Sequence, residues 1–169
     1  GGAVGFRALT YLDGNVYMGC AFTHLSGGGS SRVYARNAGR VSLSGRPDRS
    51  WNPEISGAVQ AVGVSEANSA FYAGGHFTTA HGNQRAWYAA KCSTQPGAAG
   101  DTDVDCVPSS ATAGKYQQTI ATAGNRVYIG GSEHNLFGYD AATNQRVSGA
   151  MTFNNGGDLQ ATTVSAKGV

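Results

Sequence analysis

Val16-Tyr17-Met18-Gly19-Cys20-Ala21-Phe22-Thr23 has two echoes later in the chain: Phe71-Tyr72-Ala73-Gly74-Gly75-His76-Phe77-Thr78 and Val127-Tyr128-Ile129-Gly130-Gly131-Ser132-Glu133-His134. Intervals of 55 and 56 residues separate the three tyrosines. Self-similarity at a near-fixed period is the signature of a repeat architecture, so this segment governs how every other residue is read.

A lead-in precedes each copy. Gly2-Ala3-Val4-Gly5-Phe6-Arg7-Ala8-Leu9, Gly57-Ala58-Val59-Gln60-Ala61-Val62-Gly63-Val64 and Gly114-Lys115-Tyr116-Gln117-Gln118-Thr119-Ile120-Ala121 align, with Val4, Val59 and Tyr116 in one slot. Leu159 holds that slot in a fourth lead-in, Gly157-Asp158-Leu159-Gln160-Ala161-Thr162-Thr163-Val164. The apolar residues alternate roughly, as in a strand buried on one face. Turn residues follow at Asp13-Gly14-Asn15, Glu66-Ala67-Asn68-Ser69 and Gly124-Asn125, residue types that tolerate positive φ and close hairpins.

The remainder of each unit reads as a second hairpin. In the third unit Asn135 to Asp140 is a strand, 141 to 144 a turn and Gln145 to Gly149 a strand; in the first, Gly39 to Ser44 runs into Gly45 to Pro53. In the second, Ala86 to Ala90 is the third strand and an insert, Ser93 to Asp105, obscures the fourth. Four short antiparallel strands per unit describe a β-propeller blade. No stretch shows the helical period that a layered α/β fold needs between its strands. The expected fold is therefore all-β: a propeller with blades at about 2–56, 57–113 and 114–156, and the start of a fourth at 157–169. Propellers close with about 4–8 blades. The sequence thus implies a larger ring, completed by the remainder of the propeller or by a complementary chain.

Glycine supplies 26 of 169 residues and charged residues only 13%, while 40% are hydrophobic. Because the glycines recur at turns and fixed strand positions, a folded β protein is favoured over a disordered chain. A formal net charge of +2 gives no argument for nucleic acid. No apolar run approaches the roughly 18 residues of a membrane span, and no signal peptide is visible at Gly1. Cys92 and Cys106 bracket the polar insert and read as a disulfide, which for a loop of about 15 residues contributes roughly 3 kcal/mol in the chain-entropy model. Such a bond implies an oxidising, extracytoplasmic setting, and the expected location is extracellular, secreted or at the cell surface. Cys20, in the slot of Gly75 and Gly131, reads either as a small buried residue or as the partner of a cysteine outside this chain.

Unit two and its flanks carry a family resemblance. Leu43-Ser44-Gly45-Arg46-Pro47-Asp48-Arg49-Ser50-Trp51-Asn52-Pro53, then Gly57 to Val62, then Tyr72-Ala73-Gly74-Gly75-His76-Phe77-Thr78-Thr79-Ala80-His81-Gly82 resemble the bacterial delta-60 repeat of secreted and surface propellers. Units one and three depart from it at Cys20, in the glycine loop around Ser26 to Ser31, and at Ser132-Glu133-His134-Asn135. The resemblance implies a secreted or cell-surface propeller and carries no catalytic residues.

Candidate ligand contacts are the places where regularity fails. Glu133 and His134 replace the Phe-Thr pair of the other copies, and Trp51 and Trp87 offer rings for sugar stacking or, alternatively, for packing between strands. The alternating carboxylates of Asp101-Thr102-Asp103-Val104-Asp105 offer oxygen ligands for calcium, without the glycine and distal glutamate of an EF-hand loop. Neither H-x-x-x-H nor C-x-x-C spacing occurs. The expectation is a non-catalytic binding or scaffold module for a glycan or a protein. The alternatives are a propeller enzyme acting on carbohydrate and a structural segment of a surface or phage-tail assembly. Fold alone does not choose among these.

Overall fold

In the computed structural model, residues 6–81, 86–96, 106–108, 115–132, 134–147, 151–152 and 157–165 are described. They form an all-β protein of antiparallel sheets. The first sheet orders β1 (Ala8–Leu12), β2 (Asn15–Gly19) and β5 (Ala38–Ser42), with a separate hairpin of β3 (His24–Leu25) and β4 (Val33–Tyr34) inserted between β2 and β5. The second orders β6 (Val59–Ser65), β7 (Ala70–Gly75), β8 (Ala89–Ser93) and β9 (Cys106–Pro108). The third orders β10 (Gln117–Ala123), β11 (Arg126–Gly131), β12 (Asn135–Asp140) and β13 (Met151–Thr152). The first strands of successive sheets lie side by side, β6 against both β1 and β10.

Local chemistry fixes the hairpins. Asp13 and Gly14 both adopt positive φ, 47° and 77°, and close Leu12 onto Asn15 in the two-residue turn whose twist suits antiparallel strands. Unit three closes over two residues as well, joining Ala123 to Arg126. Unit two uses four, a single 3-10 turn at Glu66–Asn68 ending in left-handed Ser69, and joins Ser65 to Ala70. That difference corrects the lead-in alignment. Ala8, Ala61 and Thr119 face Gly19, Gly74 and Gly130. The common slot two residues earlier is then held by Phe6, Val59 and Gln117, in place of Val4 and Tyr116. The slot lies 11 residues before the repeated tyrosine in units one and three (17 − 6, 128 − 117) and 13 before it in unit two (72 − 59), the difference being the longer turn of unit two. Leu159 keeps its place: its N–H donates to Gly131 O (3.1 Å) as that of Val59 does to Cys20 O (3.0 Å).

The third strand of unit two also shifts, from the expected 86–90 to Ala89–Ser93. Beyond it the fourth strand is β9. The Cys92–Cys106 disulfide is present, and the two cysteines face each other across β8 and β9. Units one and three have isolated bridges at the same register, Val41 to Pro47 and Tyr139 to Arg146. A covalent link thus stands where the other units have a single bridge. The insert residues 97–105, with the aspartates proposed for calcium, lie outside the described residues.

The repeated tyrosine and a cation facing it on the neighbouring strand tie unit one to unit two and unit two to unit three. Arg40 pairs with Tyr17 through the β2–β5 register, and Lys91 pairs with Tyr72 through β7–β8. Arg40 Nη1 donates to the carbonyl of Thr94 (2.6 Å) and to Tyr17 Oη (3.1 Å). Lys91 Nζ and Tyr72 Oη donate to the carbonyl of Ala141 at 2.5 and 3.1 Å. Thr94 and Ala141 are equivalent positions, each two residues past the residue that enters the bridge. Burial raises the Tyr72 phenol to about 12, with the nearby Asp140 charge adding to the shift. Trp51 completes the first junction. It is fully buried, edge-on to Tyr17 and Phe71 with centroids 5.2 and 5.0 Å apart, and its Nε1 donates to Ser93 O at 2.9 Å.

Glycine lets the sheets approach. A Cβ on Gly19, Gly74 or Gly130 would sit 2.3, 2.9 or 2.4 Å from the side chain of Val59, Gln117 or Leu159 of the following unit. Within units two and three the lead strand bulges, at Val59/Ala61 and Gln117/Thr119, and brings the Ala58 and Tyr116 carbonyls to 2.2 and 2.0 Å from a Cβ built on Gly75 and Gly131.

Gly75→Ala and Gly131→Ala should each lower stability by about 1–3 kcal/mol, because backbone rather than a flexible side chain must move; urea denaturation reads this. Asp48 supplies a second check. Burial alone would raise its carboxyl, but hydrogen bonds from the Ser50 hydroxyl and amide and from Arg40, together with the Arg40 charge, hold it below the usual value. The depressed folded value means that Asp48 stabilises the protein fully above the unfolded carboxyl range and loses that contribution as pH falls through the folded value. The stability gap between the wild type and Asp48→Asn should therefore narrow steadily as pH falls below about 4.

Candidate functional site

The antiparallel hairpins put the turns between first and second strands at one end of the sheets and the connections between second and third strands at the other. Neighbouring turns confirm that the units share this polarity: Asn68 Nδ2 donates to Asn125 Oδ1 at 3.0 Å. The connection end collects His76 after β7, Trp87 and Tyr88 before β8, Tyr116 before β10, and Ser132 and His134 between β11 and β12.

Three of these rings form a cluster. His76 stacks on Tyr116 with centroids 3.7 Å apart and planes 28° apart, and Tyr88 meets Tyr116 edge-on at 5.2 Å. Backbone bonds position them: the His76 N–H donates to Ala58 O (2.8 Å), and Ser132 N–H to Tyr116 O (3.0 Å). Those two bonds are equivalent, so Tyr116 puts a ring where unit two has the methyl of Ala58. Tyr116 remains 43% exposed and Trp87 52%. Burial and the positive charge of Arg7 hold the His76 imidazole below its ordinary pKa, which keeps the ring neutral and suited to stacking over a wider pH range.

Tyr88 is held at φ +64°, where a bulky side chain is a genuine outlier. Its counterpart in unit one is Asn37, at φ +61°. The match is close: Gly75 and Cys20 donate to the carbonyls of Tyr88 and Asn37, both at 3.0 Å, and Tyr88 and Asn37 donate back to Phe77 and Phe22, both at 2.8 Å. Asparagine suits a left-handed backbone, and here its side chain serves the fold, accepting from Phe22 N (3.2 Å) and donating to Ile55 O (2.6 Å). Tyrosine has neither advantage. Strain of this kind persists where the surrounding structure over-determines it, and it clusters at ligand sites.

The expected site residues separate. Trp87 is exposed beside Tyr88, whereas Trp51 is enclosed between two sheets and has no face open to a sugar. His134 bonds the Gly157 carbonyl through Nδ1 and so anchors the fourth lead-in. Glu133 lies outside the described residues. Cys20 is 2% exposed. Among the described residues no group of three or more His, Cys, Asp or Glu side chains is placed to hold a metal, and no helix is long and apolar enough to cross a membrane. The sequence reading assigned no ligand role to His76, Tyr88 or Tyr116 and placed Tyr116 in the lead-in slot of Val59. Only the corrected register puts Tyr116 in the slot of Ala58, so its ring did not stand out while it was aligned with Val59.

Substituting Tyr88 tests the strain. Tyr88→Asn should leave stability unchanged or raise it by up to about 1 kcal/mol, the relief of strain offsetting the lost ring contact. Tyr88→Val, β-branched at the same φ, should destabilise by about 1 kcal/mol or more. Denaturation midpoints of the two variants distinguish the outcomes.

No protein-family model matches the chain, and no curated protein matches it. Among solved structures it is similar to the computationally designed Ika8 protein, with a TM-score of 0.38 and 13% identity, over 92% of this chain and 51% of that one. The chain spans about half the length of that structure.

Proposed function

We propose that these sheets are blades of a delta-60-type β-propeller in a secreted or cell-surface protein, and that the connection end binds a glycan. The propeller reading is supported by three meander sheets whose first strands adjoin and by the tyrosine–cation tie repeated at successive junctions. The disulfide is compatible with an extracellular setting.

The observation that carries the binding reading is the partly exposed aromatic cluster built on a strained Tyr88. Aromatic faces pack against the apolar faces of sugars, while a phenol or imidazole at the rim supplies hydrogen bonds to hydroxyls. All the residues named at this end act by packing and hydrogen bonding, so the proposed role is recognition.

A glycan array followed by calorimetry on its best ligand tests the reading. Trp87→Ala and Tyr116→Ala should each weaken binding at least tenfold with an unchanged circular dichroism spectrum, and Glu66→Gln, exposed in the turn at the opposite end of the sheets, should not. Absence of any glycan ligand, or binding indifferent to both aromatic substitutions, would overturn it.

A further inference from the structure

Unit one carries a feature that the repeat does not require. The chain between β3 and β4 includes Ser26-Gly27-Gly28-Gly29-Ser30-Ser31 and folds back along the edge of its own sheet. Contact is close enough to demand glycine. A Cβ on Gly27 would sit 2.6 Å from Gly45 O, and one on Gly28, at φ +55°, would sit 2.8 Å from Arg46 N. The Ser30 hydroxyl donates to Gly27 O at 2.7 Å and stiffens the loop. Between loop and sheet edge lies an open cleft of about 580 Å³ lined by Asn15, Ser30, Ser31, Ser42, Arg46, Pro47, Asp48 and Arg49.

The charge in this cleft is positive. Asp48 is the one carboxylate in the lining, and it is already engaged. Its Oδ2 takes the Arg40 Nε bond at 2.7 Å, and its Oδ1 accepts the Ser50 amide and hydroxyl at 2.8 and 2.7 Å. Among the described residues neither Arg46 nor Arg49 forms an ion pair. Arg49 is oriented by a hydrogen bond from Nη2 to the Ser31 hydroxyl, and the Arg46 backbone N–H is fixed on Ser42 Oγ at 3.2 Å. Two guanidiniums and several hydroxyls, with the nearby acid neutralised from behind, match a tetrahedral oxyanion, whose several acceptor oxygens take forked donors.

We propose that this cleft binds the oxyanion of a phosphate or sulfate ester, gripped by Arg46 and Arg49. The site lies wholly within unit one and is independent of the aromatic cluster.

Amide spectra recorded by NMR during titration with inorganic phosphate, and separately with inorganic sulfate, test it, with sodium chloride holding ionic strength constant. The expected result is saturable shifts at Ser31, Ser42, Arg46 and Arg49. Arg46→Gln and Arg49→Gln should each weaken the apparent affinity about tenfold or more, as befits a charged hydrogen bond, and Arg49→Lys should weaken it less. Both arginines are exposed, so the variants should keep the wild-type spectrum elsewhere. Glucose 6-phosphate and glucose 6-sulfate then identify the source, since the preferred ester should bind more tightly than its inorganic ion. Shifts that fail to saturate, that sodium chloride reproduces, or that persist undiminished in both glutamine variants would overturn the proposal.

Discussion

A buried backbone carbonyl organises the packing at each of the two junctions between these three sheets. Thr94 and Ala141 occupy the same place after the third strands of units two and three, and each receives a cation from the preceding unit, Arg40 or Lys91. A tyrosine stands beside each cation and shares the bonding. Inside the protein an unmet carbonyl is expensive and a charge-assisted bond to it is strong. The junction is therefore specified in direction and distance in a way that apolar contact alone would not achieve. Lys91 responds to this environment: burial lowers its pKa, with the nearby Asp140 charge opposing the shift.

The glycines follow from that tie. Once cation and tyrosine reach across, the second strand of one sheet lies close to the lead strand of the next, leaving no room for a Cβ on Gly19 or Gly74, and Gly130 meets Leu159 of the fourth lead-in in the same way. Val59, Gln117 and Leu159 fill the space instead. Gln117 is a polar residue in an otherwise apolar series; it is fully buried and its Nε2 donates to Lys115 O at 3.0 Å. The same packing encloses Trp51, whose ring fills the gap between Tyr17 and Phe71.

Against this repeated scaffold the individual features stand apart by their chemistry. The glycine loop of unit one, the ring at Tyr116 and a tyrosine at the left-handed position that unit one fills with Asn37 serve none of the junction contacts that recur from unit to unit. Departures from local consistency are where natural proteins place function.

The sequence by itself determined what is local. Positive-φ residues at Asp13-Gly14, alternation along the lead strands and a 14-residue cysteine separation each act through a few neighbouring atoms, so hairpins, the all-β class and the disulfide were legible. Register was legible only in part: the longer turn at Glu66–Ser69 was visible in the sequence, but the bulges at Val59/Ala61 and Gln117/Thr119 leave no compositional mark. Burial of Trp51 and exposure of Trp87 were undecidable, since an indole suits a sheet interior and a surface platform equally well. Only the tertiary structure brought His76, Tyr88 and Tyr116 together, or turned Asp48 away from the arginines that flank it in sequence. Both depend on how one element lies against another, and that geometry is set by long-range contacts.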